Sequence, residues 1–380
     1  MRCVNETTAL PDVRLPLRPG LEGLEPYGAP QLDVPILLNV NENPHPPSPA
    51  VVRDISQTVA EVAGGLNRYP DRDFLDLRAE LADYLNVEAK VNHLRAAHLW
   101  VANGSNEIML HLLQAFGGPE RSVLSFAPTY SMYPEYARDT MTQWVAGRRR
   151  EDFTLDLDHV RDLLQRHRPA VLLLASPNNP TGTALPLADI AAIASTAATT
   201  GPDGAATVVV IDEAYAEFRR EDTPSAVELL PRFGHLAVAR TMSKAFGMAG
   251  ARVGYLAAPV AIVDALRVVR LPYHLSAITQ AVARVALRHR DSLMAQVAEI
   301  RRGRDDCVSW LRGHGFTVAD SDANFVFFGP VADRETVWQG LLDRGVLIRV
   351  VGPEGWLRVS IGTVAEMAAF RAALEEVMGL

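Results

Sequence analysis

The stretch Val208-Val209-Val210-Ile211-Asp212-Glu213-Ala214-Tyr215 decides the fold. Its first four residues are apolar without polar alternation, which is typical of a strand buried on both faces of a sheet. The run ends at two acidic residues and an aromatic one. Open α/β sheets bind their ligands beyond the carboxyl ends of the strands. We therefore expect Asp212 and Tyr215 to lie at a ligand site.

Similar short apolar runs recur along the first two thirds of the chain, with amphipathic segments between them. The runs cover 99–102, 123–126, 171–175, 236–239 and 254–257, and the clearest amphipathic segments cover 106–116 and 158–167. Alternating strands and helices predict an α/β fold of three layers, with a mostly parallel sheet covered by helices.

The pattern changes towards the C-terminus. Helices are predicted over 260–269 and over 276–313, the second with a break near Arg290. After them come predicted strands over 325–328, 346–350 and 357–361, with one helix at 333–343 between the first two strands and a last helix at 364–378. This order indicates a smaller α+β domain. We therefore predict an N-terminal arm over 1–48 that packs with the small domain, a large domain over 49–290 and a small domain over 291–380.

The composition narrows the class of protein. The 380 residues are 48% hydrophobic and 22% charged with a net charge of −8, so a nucleic-acid surface is not expected. No apolar run is long enough to span a membrane, and the first twenty residues do not resemble a secretory signal. Two cysteines, Cys3 and Cys307, fit a reducing compartment such as the cytoplasm. Metal-ligand spacings, Walker sequences and dinucleotide fingerprints are absent from the sequence.

Lys244 lies in the segment 241–247, directly after the run at 236–239. Only Lys90 and Lys244 are lysines among the 37 Lys and Arg residues, so a lysine in a Ser/Gly-rich turn suggests chemistry that arginine cannot perform. A deprotonated lysine amine can condense with an aldehyde, and when released it can move a proton as a general base. The alternative is an ordinary surface lysine.

Asp212 and Tyr215 suggest an aromatic nitrogen ligand. A carboxylate at a strand end can hold a pyridinium nitrogen protonated, so that the ring withdraws electrons. Tyr215, three residues later, can hydrogen-bond a phenolic oxygen on that ring. The alternative is that Asp212 caps the following helix.

Several donors suit a phosphate. Arg252, Ser243 and Thr241 supply side-chain donors, and the segment 104–106 opens a helix with free backbone amides. In that segment we expect Gly104, Ser105 and Asn106 to bind the cofactor, although many helices begin with such a turn. An amine, a carboxylate and a phosphate site together predict pyridoxal 5'-phosphate (PLP).

Further site candidates follow neighbouring strands. Asn179, in the turn 176–182, can reach a ring oxygen, and Tyr130 can stack on the ring; a plain turn and core packing are the alternatives. Arg349 and Arg358 lie on successive predicted strands, where arginines are costly unless they meet anions. We expect them to bind substrate anions, with structural ion pairs as the alternative.

These residues together resemble fold-type I PLP-dependent aminotransferases, and more closely the histidinol-phosphate aminotransferases of the actinobacterial kind. The resemblance covers nearly the whole chain. It is carried by the segments 26–30, 41–47, 68–71, 102–107, 128–132, 176–182, 212–215, 241–252, 271–274 and 322–325.

The resemblance implies a homodimer with its active site at the subunit interface. It assigns Tyr69 to the partner's cofactor phosphate, Asn179 and Tyr215 to the ring oxygen, and Asp212 to the ring nitrogen. Substrate binding falls to Tyr27, Asn41, Arg349 and Arg358. The substrates implied are histidinol phosphate and 2-oxoglutarate, or imidazole-acetol phosphate and glutamate in reverse, in histidine biosynthesis.

Two departures from the family pattern leave the substrate open. Asn106 stands where many relatives have an acid, and Val350 stands where a polar residue is frequent. An aromatic-amino-acid aminotransferase and a PLP-dependent decarboxylase share most of these motifs. A non-catalytic PLP-binding regulator is a further alternative, although no basic DNA-binding segment precedes residue 49.

Overall fold

The computed structural model describes residues 15–380. Residues 15–30 belong to one unit and contain turns without helix or strand, and Gln31–Leu380 form a second unit. In the second unit the strands are β1 (Ile36–Leu37), β2 (Leu99–Ala102), β3 (Ser122–Ala127), β4 (Gln143–Arg148), β5 (Val171–Ala175), β6 (Val208–Asp212), β7 (Leu236–Thr241), β8 (Gly254–Ala257), β9 (Thr317–Val318), β10 (Phe325–Gly329), β11 (Val346–Leu347), β12 (Arg349–Val350) and β13 (Leu357–Ser360). The helices are α1 (Pro49–Ala63), α2 (Leu75–Glu88), α3 (Ser105–Phe116), α4 (Tyr133–Asp139), α5 (Leu157–His167), α6 (Leu187–Ala197), α7 (Val260–Val269), α8 (Ala277–Arg288), α9 (Arg290–Gly313), α10 (Arg334–Asp343) and α11 (Val364–Met378).

A seven-stranded sheet in the order β2-β8-β7-β6-β5-β3-β4 forms the centre of this unit. Its strands run parallel except β8, which is antiparallel to both of its neighbours. Successive residues of β5, β6 and β7 are all buried, so helices and loops cover both faces of the sheet. The predicted three-layer, mostly parallel α/β fold is confirmed.

A smaller antiparallel sheet, in the order β12-β13-β10-β9, packs with α9, α10 and α11 around a second hydrophobic core. The predicted α+β region is therefore confirmed. The predicted long helix is broken as expected, because α8 ends at Arg288 and α9 begins at Arg290. The domain boundaries at residues 48 and 290 stay a prediction.

The predicted strand over 346–350 is wrong in one respect, because it consists of two short strands in different sheets. β11 pairs in parallel with β1, whereas β12 pairs antiparallel with β13. The chain changes partners at Ile348, and a pattern of apolar residues does not show such a change. The edge strand β4 is not predicted from the sequence, because its residues lack a continuous apolar run.

Residues 15–380 include no helix long and apolar enough to cross a membrane.

Candidate active site

Lys244 follows the carboxyl end of β7 and is half-buried. Its Nζ donates a hydrogen bond to the Val40 carbonyl oxygen at 2.9 Å and lies 5.9 Å from the centre of the Tyr215 ring. Burial lowers the pKa of Lys244 to about 8, and the guanidinium groups of Arg358 and Arg252 act in the same direction. The amine is therefore closer to its reactive neutral form at neutral pH than an ordinary lysine is.

Asp212 is the last residue of β6 and is buried. One carboxyl oxygen accepts a hydrogen bond from the Tyr133 hydroxyl at 2.9 Å, and the other accepts from the Ala214 amide at 3.2 Å. Burial raises the pKa of Asp212 to about 6, while these two hydrogen bonds oppose the rise. Its partners are thus neutral groups, and a cation placed against this carboxyl would favour its charged form.

The Tyr215 hydroxyl lies where three segments of the chain meet. It accepts a hydrogen bond from Asn41 Nδ2 at 3.0 Å and a longer one from Asn179 Nδ2 at 3.5 Å. The other amide atom of Asn179, Oδ1, accepts from Arg358 Nη1. The structure therefore brings Tyr215, Asn41, Asn179 and Arg358 into one hydrogen-bonded group.

A small cradle lies at the N-terminus of α3. Gly104 has φ +86°, and a Cβ built on it would lie 2.5 Å from Arg252 Nη2, so only glycine leaves this space open. The first backbone amides of α3, from Ser105 and Asn106 onward, have no acceptor within the helix. Arg252 Nη1 also reaches Ser243 Oγ at 3.4 Å.

Two hydroxyls complete this cradle. Thr241 Oγ1 accepts from the Ser243 amide at 3.1 Å, and the two side-chain oxygens lie 3.0 Å apart. A guanidinium, hydroxyls and helix amides around a space that a Cβ would fill are the donor set that suits a phosphate. The residues present therefore fit the phosphate end of PLP.

Tyr130 borders the same region. Its hydroxyl lies 3.5 Å from Asn106 Oδ1, and its ring makes an edge contact with Tyr133, with 5.6 Å between ring centres. Tyr133 in turn bonds Asp212. The ring of Tyr130 thus stands between the cradle and the Asp212 carboxyl.

Arg349 and Arg358 lie directly opposite each other on β12 and β13. Arg358 is buried, lies 5.2 Å from the centre of the Phe325 ring and donates to the Asn39 carbonyl oxygen at 2.7 Å. Arg349 is half-buried, and its side chain forms no ion pair or hydrogen bond with another described residue. Because the two residues are cross-strand partners, their side chains share one face of the small sheet, and two guanidinium groups on one face favour an anion bound there.

One of the expected residues, Tyr69, is not brought into this group. Tyr69 is 79% exposed and stacks on Tyr273, with ring centres 4.4 Å apart. Tyr27 belongs to the unit that contains residues 15–30 and is 46% exposed. The roles given to both residues stay predictions.

Tyr133 and the Val40 carbonyl belong to the site but are not predicted from the sequence. Tyr133 opens α4, far from the motif that contains Asp212, and the partner of a backbone carbonyl leaves no trace in the residue type. The only available signal was that Tyr133 closely follows Tyr130, beyond the end of β3. Among residues 15–380, no group of three or more His, Cys, Asp or Glu side chains is arranged to hold a metal.

The fold and the site together define the class of protein. The family described as aminotransferase class I and II matches residues 33–374, and the chain belongs to this family.

The chain is also similar to individual proteins whose names give an activity. The chain is 60% identical over 366 residues to histidinol-phosphate aminotransferase 3 of Burkholderia lata, covering 96% of both chains. It is 58% identical to histidinol-phosphate aminotransferase of Thermobifida fusca, covering 95% of both. The solved histidinol-phosphate aminotransferase of Sinorhizobium meliloti, in complex with pyridoxal-5'-phosphate, is 26% identical with a TM-score of 0.81 over 91% of each chain.

Proposed function

We propose that this chain is a PLP-dependent transaminase that exchanges an amino group between histidinol phosphate and 2-oxoglutarate, a step of histidine biosynthesis. One observation carries the chemistry: an amine whose pKa is lowered to about 8 and a buried carboxyl follow adjacent strands at one end of the sheet. The identity of 60% and 58% to proteins with this name supports the choice of substrate.

When bound, PLP supplies an aldehyde that takes up the amino group and a ring that withdraws electrons from the substrate carbon. The cradle residues Arg252, Ser243 and Thr241, with the first amides of α3, bind its phosphate. Asp212 would hold the ring nitrogen protonated, and its carboxyl is kept in place by Tyr133. Tyr215 and Asn179 bind the ring oxygen, and Tyr130 packs against the ring.

Lys244 moves the proton. Its Nζ would hold the cofactor covalently, and once displaced by the substrate amine, the same nitrogen would take a proton from the substrate carbon and deliver it to the cofactor carbon that carries the amino nitrogen. The lowered pKa suits this role, because a base works best when its pKa is close to the working pH. The hydrogen bond to the Val40 carbonyl keeps the amine directed into the site when it is free.

The two arginines of the small sheet account for substrates with different anions. Histidinol phosphate carries a phosphate, and glutamate carries two carboxylates. Arg349 and Arg358 are permanently charged and can grip either anion with paired N–H groups. Asn41 and Tyr27 are proposed to take part in binding the substrate. Asn41 Nδ2 donates to the Tyr215 hydroxyl, and Asn41 Oδ1 accepts from the Ser360 hydroxyl on β13.

The proposal includes a homodimer in the cytoplasm. Tyr69 is exposed on its own subunit, which is compatible with the role of reaching the partner's cofactor phosphate. Leu66, Leu271 and Val268 lie within a few residues of Tyr69 or of its stacking partner Tyr273 in the sequence and are exposed apolar side chains, which supports burial against a second copy.

Growth of a histidine auxotroph that lacks this transaminase step tests the proposal directly. The wild-type gene should restore growth without histidine, and the Lys244→Ala gene should not. Failure of the wild-type gene to restore growth, with the protein present and folded, would contradict the assigned substrate.

Purified enzyme separates the proposed substrate from the aromatic amino acids. We expect kcat/KM for histidinol phosphate to exceed that for phenylalanine by more than about tenfold, roughly 1.4 kcal/mol of transition-state discrimination. A preference for phenylalanine would identify an aromatic-amino-acid aminotransferase, and release of carbon dioxide would identify a decarboxylase.

A further inference from the structure

A cluster of charged side chains lies against β6 and β7 on the side away from the site. Arg240 is completely buried, and its guanidinium is in contact with three carboxylates. It lies 2.7 Å from Glu213 Oε2, 3.0 Å from Glu217 Oε1 and 3.0 Å from Glu88 Oε2. Arg219 adds a second guanidinium, 2.8 Å from Glu88 Oε1.

The position of the cluster follows from strand alternation. Asp212 pairs with Ala239, and successive side chains of a strand point to opposite faces of the sheet. Asp212 and Thr241 therefore share the face that carries the site, and Glu213 and Arg240 share the opposite face. Arg240 thus cannot touch a substrate or cofactor on the site face.

Arg240 holds both ends of the turn that carries Tyr215. Glu213 precedes and Glu217 follows Tyr215 by two residues each, and both bond the same guanidinium. Arg240 itself directly precedes Thr241, where the segment with Lys244 begins. One side chain therefore links the two segments that supply the amine, the carboxyl and the phenol of the site.

Stability alone does not explain this arrangement. Replacing a buried ion cluster with well-packed apolar side chains is often neutral or stabilising, because desolvation offsets much of the attraction. Here three carboxylates face two guanidinium groups. Burial raises the pKa of Glu217, and the neighbouring Glu88 carboxylate adds to the rise, so keeping Glu217 charged has a cost. A fork-shaped cation that meets several acceptors fixes geometry in a way that apolar contacts do not.

We propose that Arg240 is a positioning residue: by holding Glu213 and Glu217 it fixes Asp212 and Tyr215 relative to Lys244. This inference rests on the proposed function of those three residues.

A matched pair of variants tests the inference. Glu213→Gln and Glu88→Gln each remove one carboxylate from the same guanidinium. Each carboxylate accepts hydrogen bonds through both of its oxygens, so in each variant the glutamine NH₂ group would face an N–H donor. Only Glu213 belongs to the turn, whereas Glu88 ends α2. The proposal expects Glu213→Gln to lower kcat at least about tenfold with little change in KM, and Glu88→Gln to stay within about twofold of wild type.

A second measurement needs no cofactor and no turnover. The protein has only two lysines, so acetylation of Lys244 by acetic anhydride can be followed against pH by peptide mass spectrometry, with exposed Lys90 as the internal reference. In the cofactor-free wild type the midpoint for Lys244 is expected at about 8. A loosened turn admits water, so Glu213→Gln should raise the midpoint by at least about half a pH unit and Glu88→Gln should not.

Equal effects of the two variants on kcat and on the Lys244 midpoint would overturn the proposal, as would a folded Glu213→Gln enzyme that matches wild type. If Glu213→Gln does not fold, Ser225→Ala removes a hydroxyl that donates to Glu213 Oε2 at 2.7 Å and accepts from Arg240 Nη2 at 3.1 Å and from the Val227 amide at 3.2 Å. It should move the midpoint in the same direction by a smaller amount, and an unchanged midpoint would again overturn the proposal. A wild-type protein without transaminase activity would refute the proposed function, while the midpoints would still test the positioning role.

Discussion

The charged side chains on the two faces of β6 and β7 have different kinds of partner. On one face, Arg240 is surrounded by the carboxylates of Glu88, Glu213 and Glu217, so that each charge has an opposite charge beside it. On the other face, Lys244 bonds a backbone carbonyl and Asp212 bonds a phenol and a backbone amide. The same two strands therefore carry compensated charges on one side and charges with neutral partners on the other.

The difference in partners separates structural from chemical groups. A buried group whose hydrogen-bond partners are neutral has its pKa shifted towards neutrality, because no opposite charge beside it offsets the cost of burying its charged form. This is why the pKa of Lys244 falls to about 8 and that of Asp212 rises to about 6. Lys244 can then exchange a proton near neutral pH, as a general base must, whereas a cation bound beside Asp212 would keep that carboxyl charged.

Removing the Lys244 amine is expected to cause the largest loss of activity. Lys244→Ala should reduce multiple turnover to below about one ten-thousandth of wild type, because both the covalent attachment and the base are lost. The visible absorbance of the bound cofactor should change as well. Steady-state assays with histidinol phosphate and 2-oxoglutarate measure the loss, and retained multiple turnover would refute the role of Lys244.

Neutralising the carboxyl has the next largest effect. Asp212→Asn should keep the cofactor bound, because the phosphate cradle is intact, but lower kcat by roughly 10²–10⁴-fold, since the ring nitrogen is no longer held protonated. Cofactor content by absorbance and kcat from steady-state assays separate the two effects. Activity close to wild type would mean that Asp212 does not serve the ring nitrogen.

The raised pKa of Asp212 predicts a pH dependence of stability in the cofactor-free protein. The folded state keeps a proton on Asp212 up to about pH 6, whereas the unfolded chain releases it near pH 4. The free energy of unfolding should therefore fall as the pH rises through this window, by about 3 kcal/mol from this group. Denaturant unfolding of wild type and Asp212→Asn isolates the contribution, and an equal pH dependence in both would contradict it.

Removing the Tyr133 hydroxyl sharpens the comparison with a smaller change. Tyr133 donates a hydrogen bond to the Asp212 carboxyl at 2.9 Å, and this bond favours the charged form of the carboxyl. Tyr133→Phe should therefore raise the pKa of Asp212 further. Losing a hydrogen bond to a charged group costs about 1.5–3 kcal/mol. Binding of the cationic ring beside Asp212 offsets much of this cost, so we expect kcat to fall about three- to tenfold.

Tyr255→Phe is a suitable control for that variant, because the Tyr255 hydroxyl is buried and bonds no other described residue. Its kcat should stay within about twofold of wild type. Equal losses in the two variants would show that the effect of Tyr133→Phe comes from packing rather than from its bond to Asp212.

The sheet could be predicted because its strands are short apolar runs in which every residue is buried. β4 could not, because an edge strand with half-exposed residues lacks that pattern. Asp212, Lys244 and the Gly104 turn were found because each directly follows a strand, where the sheet itself places a ligand. Cys3 and the first part of the predicted N-terminal arm lie outside the described residues.

The sequence by itself determined the class of the sheet, the strand ends that carry chemistry and the unusual use of a single lysine beside them. These properties are local, because strand periodicity and residue type are read within a few positions. Only the tertiary structure decided which groups become partners. Lys244 and the Val40 carbonyl are 204 residues apart, and Arg240 and Glu88 are 152 apart. Such contacts arise from the packing of whole elements, and that packing sets the burial and charge around each group.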